Sequence, residues 1–114
     1  MKRILAPILL LTLLFPSLAL GVTVGDLVVR NNGLYYKKFT DVPFTGKTTG
    51  RIQKTFRNGK LDGPWVYYHR NGQLGSKGTY KDGIRDGPWV DYNKDGTVDE
   101  KYTGTFKDGK KISD

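Results

Sequence analysis

No cysteine occurs in the 114 residues, which excludes disulfide scaffolds, thiolate zinc sites, cysteine nucleophiles and lipid-modified cysteines. Histidine is almost as scarce. His69 stands alone, so histidine-cluster metal sites are out and general-base chemistry near neutral pH loses its usual side chain. Met1 is the only methionine, and hydrophobic residues make up a low 37%. The chain has 15 glycines and 12% aromatic residues, a mixture that points to short strands and many turns. A disordered chain would lack so many Tyr, Phe and Trp. The expectation is one small all-β domain that is not an enzyme and uses no cofactor, metal or small-molecule substrate.

The first residues read as an address. Met1-Lys2-Arg3 gives a basic start, an apolar run spans Ile4 to Phe15, and Pro16 leads into Ser17-Leu18-Ala19-Leu20-Gly21. That is the layout of a secretory signal peptide over 1–21, with cleavage after Ala19 or Gly21. An uncleaved anchor is the weaker alternative, because the apolar stretch from Ile4 to Leu20 is 17 residues long and contains Pro7 and Pro16. Either way the remainder is expected outside the cytoplasm, in the periplasm or extracellular space. Without Lys2 and Arg3, 17 basic residues face 11 acidic ones, a net charge of +6.

The remainder repeats itself. Residues 56–74 align with 80–98 at an offset of 24, and 8 of the 19 pairs are identical. Others exchange like for like, such as Phe56 with Tyr80, Arg57 with Lys81 and Arg70 with Lys94. A basic residue followed by Asn-Gly or Asp-Gly marks a turn at Asn58-Gly59, Asn71-Gly72, Asp82-Gly83, Asp95-Gly96 and Asp108-Gly109, with spacings of 13, 11, 13 and 13. These dipeptides supply the positive φ of tight hairpins. The prediction is an antiparallel meander of β-hairpins.

Two kinds of turn are expected. Asn71-Gly72 and Asp95-Gly96 read as two-residue hairpins. The segments from Asn58-Gly59 through Asp62-Gly63-Pro64, and from Asp82-Gly83 through Asp86-Gly87-Pro88, read as longer turns. In these, Asp62 and Asp86 would bond the backbone two residues on, and the prolines would open the next strand. Alternation within strands places Trp65, Tyr67 and His69 on one face and Val66 and Tyr68 on the other. The sister repeat has Trp89, Asp91 and Asn93 opposite Val90 and Tyr92. Tyr67 and His69 become Asp91 and Asn93, so those positions are expected to face water. Gly78 and Gly104, each two residues before an aromatic, would leave slots for a cross-strand ring.

Residues 22–50 look like a degenerate repeat or cap: Asn31-Asn32-Gly33 would turn a hairpin, and Asp41-Val42-Pro43-Phe44 echoes the Asp-Gly-Pro-Trp segment. The repeats proper occupy 51–110, with a partial third copy at 106–111. Residues 111–114 read as a frayed tail.

The doubled pattern Asn58-Gly59-Lys60 through Asp62-Gly63-Pro64-Trp65, with Tyr68, Asn71-Gly72-Gln73-Leu74 and Gly78-Thr79-Tyr80-Lys81-Asp82-Gly83, resembles the variant MORN repeat. In bacteria that repeat appears in YwqK-family antitoxin-like proteins. The resemblance implies hairpins laid side by side in an elongated, twisted single sheet. It implies no catalytic residue, and an association with toxin neutralisation, membrane-lipid contact or scaffolding. A signal peptide fits an immunity protein of the envelope better than a cytoplasmic antitoxin.

Asp91 to Tyr102 imitates a calcium loop but puts Tyr102 where a bidentate Glu is needed, so a hairpin turn explains it without metal. Basic residues beside the turns keep a sheet soluble and its edges unpaired. Anionic lipid or acidic polysaccharide is the alternative partner, and nucleic acid is not expected, since no reading motif accompanies the charge. The leading expectation is an exported module that binds a partner protein through Trp65, Tyr67, Trp89 and Tyr92, with core packing competing for each.

Overall fold

The computed structural model describes residues 21–113. The signal-peptide segment, apart from Gly21, lies outside them. The described chain is built of antiparallel strands after one 3-10 turn, Val24–Asp26. No helix among the described residues is long and apolar enough to cross a membrane.

Ten strands follow. β1 (Leu27–Val29) pairs β2 (Tyr35–Lys37) as a separate two-stranded sheet. The others are β3 (Gly46–Lys47), β4 (Ile52–Arg57), β5 (Lys60–Tyr68), β6 (Leu74–Lys81), β7 (Ile84–Arg85), β8 (Gly87–Asp91), β9 (Gly104–Lys107) and β10 (Lys110–Ser113). They form an eight-stranded sheet in the order β10-β9-β8-β6-β5-β4-β3, with β7 beside β6. The meander is therefore as expected, but the single sheet is two sheets. The expected tail at 111–114 is a paired strand as far as Ser113, because Lys110 and Lys111 lie opposite Lys107 and Phe106.

The turns exchange the roles read from sequence. Arg57 pairs Lys60 and Lys81 pairs Ile84, so Asn58-Gly59 and Asp82-Gly83 are the two-residue loops. Asn58 and Asp82 have φ of 50° and 49°, followed by glycines at 83° and 84°. Two successive positive φ values make the primed turn whose twist matches the strands it joins. Asp108-Gly109 repeats this at 52° and 82°. What was read as the rest of a long turn is strand: β5 runs through Asp62, Gly63 and Pro64. Asn71-Gly72 and Asp95-Gly96 instead sit in three-residue loops. His69 N–H donates to the Gln73 carbonyl at 2.8 Å and Asn93 N–H to that of Thr97 at 2.7 Å. Only the glycine is left-handed in these loops, and the residue before it accepts the N–H two residues on (Asn71 from Gln73 at 2.9 Å, Asp95 from Thr97 at 3.0 Å). Asn31-Asn32-Gly33 is built the same way.

Successive repeats are laced at both turn rows. Gly83 N–H donates to the Leu61 carbonyl at 2.7 Å, and Gly109 N–H to that of Arg85 at 3.3 Å. Asp62 was expected to cap its own turn. Its Oδ1 instead accepts the Asp82 N–H at 3.1 Å, one repeat further on, because β5 is extended there and carries the carboxylate across to the next hairpin. In the other row, Asn71 Nδ2 donates to the Lys94 carbonyl at 3.0 Å.

The core is thin and aromatic. Among the described hydrophobic residues only Tyr36, Phe56 and Trp89 are buried, at 7%, 2% and 3% exposure. Phe56 packs between Tyr35 and Phe44, with ring centroids 5.1 and 5.6 Å away. Thr48 is fully buried, donating to the Ile52 carbonyl and accepting the Lys54 N–H.

Candidate functional site

The two tryptophans meet on one sheet face. Trp65 lies opposite Gly78 across β5 and β6, and Trp89 lies opposite Gly104 across β8 and β9. A glycine opposite each indole removes the side chain that would hold the ring off the sheet. The space is then used from the next repeat: a Cβ added at Gly78 would stand 2.2 Å from Trp89 Cδ2 and Cε2. Trp89 therefore lies over β6, and its Nε1 donates to the Thr79 carbonyl at 3.1 Å.

This packing makes a row of rings. Trp65 is 5.2 Å from Trp89, Tyr80 is 5.3 Å from Trp89 edge-on, and Phe106 lies 6.4 Å from Trp89. Edge-to-face and tilted pairs at these distances contribute about 0.5–1.5 kcal/mol each beyond area burial. The Arg85 guanidinium covers the Trp89 ring at 4.2 Å and reaches the Phe106 ring at 5.2 Å. Trp65 continues the row to Tyr67 at 6.4 Å, and Tyr67 meets His69 edge-on at 5.5 Å.

The four residues expected to bind are thus separated by the fold. Trp65, Tyr67 and Trp89 share a face, whereas Tyr92 alternates onto the other one. Trp89 is core, so it supports the surface and offers little of itself. Trp65 and Tyr67 are half-buried side by side and remain available. Tyr92 is half-buried and held by its backbone, its N–H donating to the Gly75 carbonyl and its own carbonyl meeting His69 Nε2 at 2.9 Å.

Positions expected to face water are partly covered. Tyr67, His69 and Asp91 are half-buried, and only Asn93 is exposed. The reason is register: Ser76 lies between Tyr67 and Asp91, bringing the end of one hairpin against its neighbour. Burial pushes the Asp91 carboxyl above its ordinary range, Asp99 adds to this, and Arg85 and His69 oppose it. Asp95 in its turn is held below the ordinary range by the Thr97 hydroxyl and N–H. The cross-hairpin contacts of Tyr67 and His69 escape a reading of one strand at a time.

Charge is interleaved along the two-residue turns. Arg57, Lys60, Lys81, Arg85, Lys107 and Lys110 alternate there with Asp62, Asp82, Asp86 and Asp108. Arg57 Nε lies 3.7 Å from Asp62. A mixed row of this kind gives a weak field toward an anionic surface. Among the described residues no three His, Asp or Glu side chains are placed to hold a metal ion.

The opposite face carries an open trough of about 430 Å³ lined by Pro64, Val66, Lys77, Gly78, Thr79, Pro88, Trp89 and Val90. Compared with known protein families and with curated proteins, the chain matches none.

Proposed function

We propose that the chain is an exported, non-catalytic array of MORN-type hairpins that holds a partner protein, as an immunity or antitoxin-like module of the cell envelope. The observation that carries this reading is the half-buried pair Trp65 and Tyr67, 6.4 Å apart on a sheet face and backed by the buried Trp89. Aromatic side chains anchored on a rigid support lose little entropy on binding and are enriched at protein interfaces. The repeated hairpins with basic start and signal-like leader support export and a scaffold role, and the charged, turn-rich rim suits solubility.

The test is recovery of the bound partner from envelope extract by the purified protein. Tyr67→Ser and Trp65→Leu are compared with wild type after thermal melts show that each is folded. Removing an interface anchor commonly costs about 2 kcal/mol or more, some thirtyfold in affinity. Both variants should therefore lose the partner, while Ile112→Ser, at an exposed position of β10, should retain it. Undiminished recovery by the folded Tyr67 and Trp65 variants would refute this reading. Recovery of anionic lipid in place of protein, reversed by salt, would support the membrane-surface alternative.

A further inference from the structure

The repeat builds a second surface on the face away from Trp65. Pro64 lies opposite Thr79, and Val66 opposite Lys77. On the other side Lys77 lies opposite Val90, and Pro88 lines the same wall. The trough is therefore the paired row Val66-Lys77-Val90, with Pro64, Thr79 and Pro88 completing its lining. Its walls come from the same Gly-Pro-Trp-Val segment used twice, and its floor is β6. Lys77 and Thr79 are exposed, and neither side chain has a hydrogen-bond or ionic partner among the described residues. One ammonium and one hydroxyl thus stand unpartnered between proline and valine walls.

We infer that this trough binds an extended acidic peptide segment of a partner protein, with a carboxylate on Lys77 and apolar side chains against Pro64, Val66, Pro88 and Val90. Charge complementarity selects a carboxylate, since Lys77 is the one ionic group among the described residues that line the trough. Geometry selects a strand-like occupant. Lys77 and Thr79 are two residues apart on a strand, a spacing that alternate side chains of an extended chain reproduce. The volume lies in the range of small-ligand clefts, enough for a few residues. A membrane surface fits less well, because adhesion to anionic lipid grows by about 1 kcal/mol per basic residue and the trough presents one. The inference rests on the protein-binding reading above and assigns it a second contact surface.

The test uses the purified protein and the peptide acetyl-Leu-Ser-Glu-Ser-Leu-amide, whose Leu and Glu side chains share one face when extended, followed by amide and methyl NMR shifts. Saturable shifts confined to Val66, Lys77, Thr79 and Val90 are expected at millimolar peptide. The Gln-for-Glu peptide should bind about two- to fivefold more weakly, as should Lys77→Met, the range for one exposed ion pair. Lys77→Arg should restore binding. Absence of saturable shifts, equal binding of the Gln peptide, or shifts produced by anionic vesicles and not by the peptide would each overturn the proposal. Failure here with envelope-partner recovery intact removes the trough alone. Loss of that recovery in the Tyr67 and Trp65 variants is read independently of the peptide.

Discussion

Replacing Gly78 with alanine tests the packing on which the sheet depends. The new methyl would stand 2.2 Å from Trp89 Cδ2 and Cε2 and 2.6 Å from Cγ, well inside contact distance. The indole is not a flexible chain end. It is 3% exposed, tied to the Thr79 carbonyl and pressed between Trp65, Tyr80, Phe106 and Arg85. Overpacking of this kind costs about 1–3 kcal/mol, and loss of the indole hydrogen bond adds about 1 kcal/mol. Against this, alanine restricts the unfolded chain and returns about 0.4–1 kcal/mol. A net loss of about 2 kcal/mol is expected, which for a domain of this size lowers Tm by about 8–16 °C. Thermal melts followed by near-ultraviolet circular dichroism and tryptophan emission measure it. Gly25→Ala is the control, because a Cβ there meets only Thr23 Oγ1 at 3.6 Å; its Tm should move by less than about 3 °C. Adding Trp89→Leu to Gly78→Ala should recover part of the combined loss, since a smaller side chain no longer meets the methyl. A Gly78→Ala protein that melts with wild type and keeps its emission spectrum would refute the reasoning.

Three further substitutions read the turns and the half-buried Asp91 carboxyl. Asp82→Gly should change stability by less than about 0.5 kcal/mol in urea, because glycine adopts the left-handed φ of 49° freely. Asn71→Gly should cost about 1 kcal/mol or more, because it deletes the bonds to Gln73 N–H and the Lys94 carbonyl; the opposite order would restore the turn assignment read from sequence. Asp91→Asn should raise Tm at neutral pH. The folded state holds the Asp91 proton more tightly than the unfolded chain, so this contribution is full below the ordinary carboxyl value and is lost as pH rises from there through the raised one. The advantage of Asn should vanish in acid, and an Asn variant less stable at neutral pH would contradict it.

Much of the architecture was legible because the repeat states it twice. Hairpin number, strand alternation and the placement of each tryptophan follow from period and spacing. The turn types did not follow, because Arg57-Asn58-Gly59 and Arg70-Asn71-Gly72 are the same triplet. The difference lies in separation across the turn. Phe56 pairs Leu61, five residues on, whereas Tyr68 pairs Leu74, six residues on. A two-residue loop needs the first spacing and a three-residue loop the second, so the apolar residues flanking each triplet carry the information. The half-burial of His69 and Asp91 was hidden for another reason: a change from Tyr67 to Asp91 between copies reads as solvent exposure, yet the two positions are neighbours across β6.

The same logic explains why two copies of one motif have different surfaces. Trp65 and Trp89 occupy equivalent places in consecutive hairpins, but their outer neighbours differ. Beyond Trp65, β4 presents Lys54 as its paired residue. On the corresponding side of Trp89, β6 presents Gly78, so that ring settles against Trp65 and Tyr80 with the Arg85 guanidinium over it. In a sheet without a second layer, a side chain is buried by what stands beside it in the row. Each repeat therefore serves as core for the next. Trp65 is left half-covered because the strand before it pairs it with Lys54 in place of a glycine, although Tyr80 stands 6.5 Å away on the other side. That asymmetry, and no difference in the motif itself, leaves Trp65 half-covered and Trp89 buried.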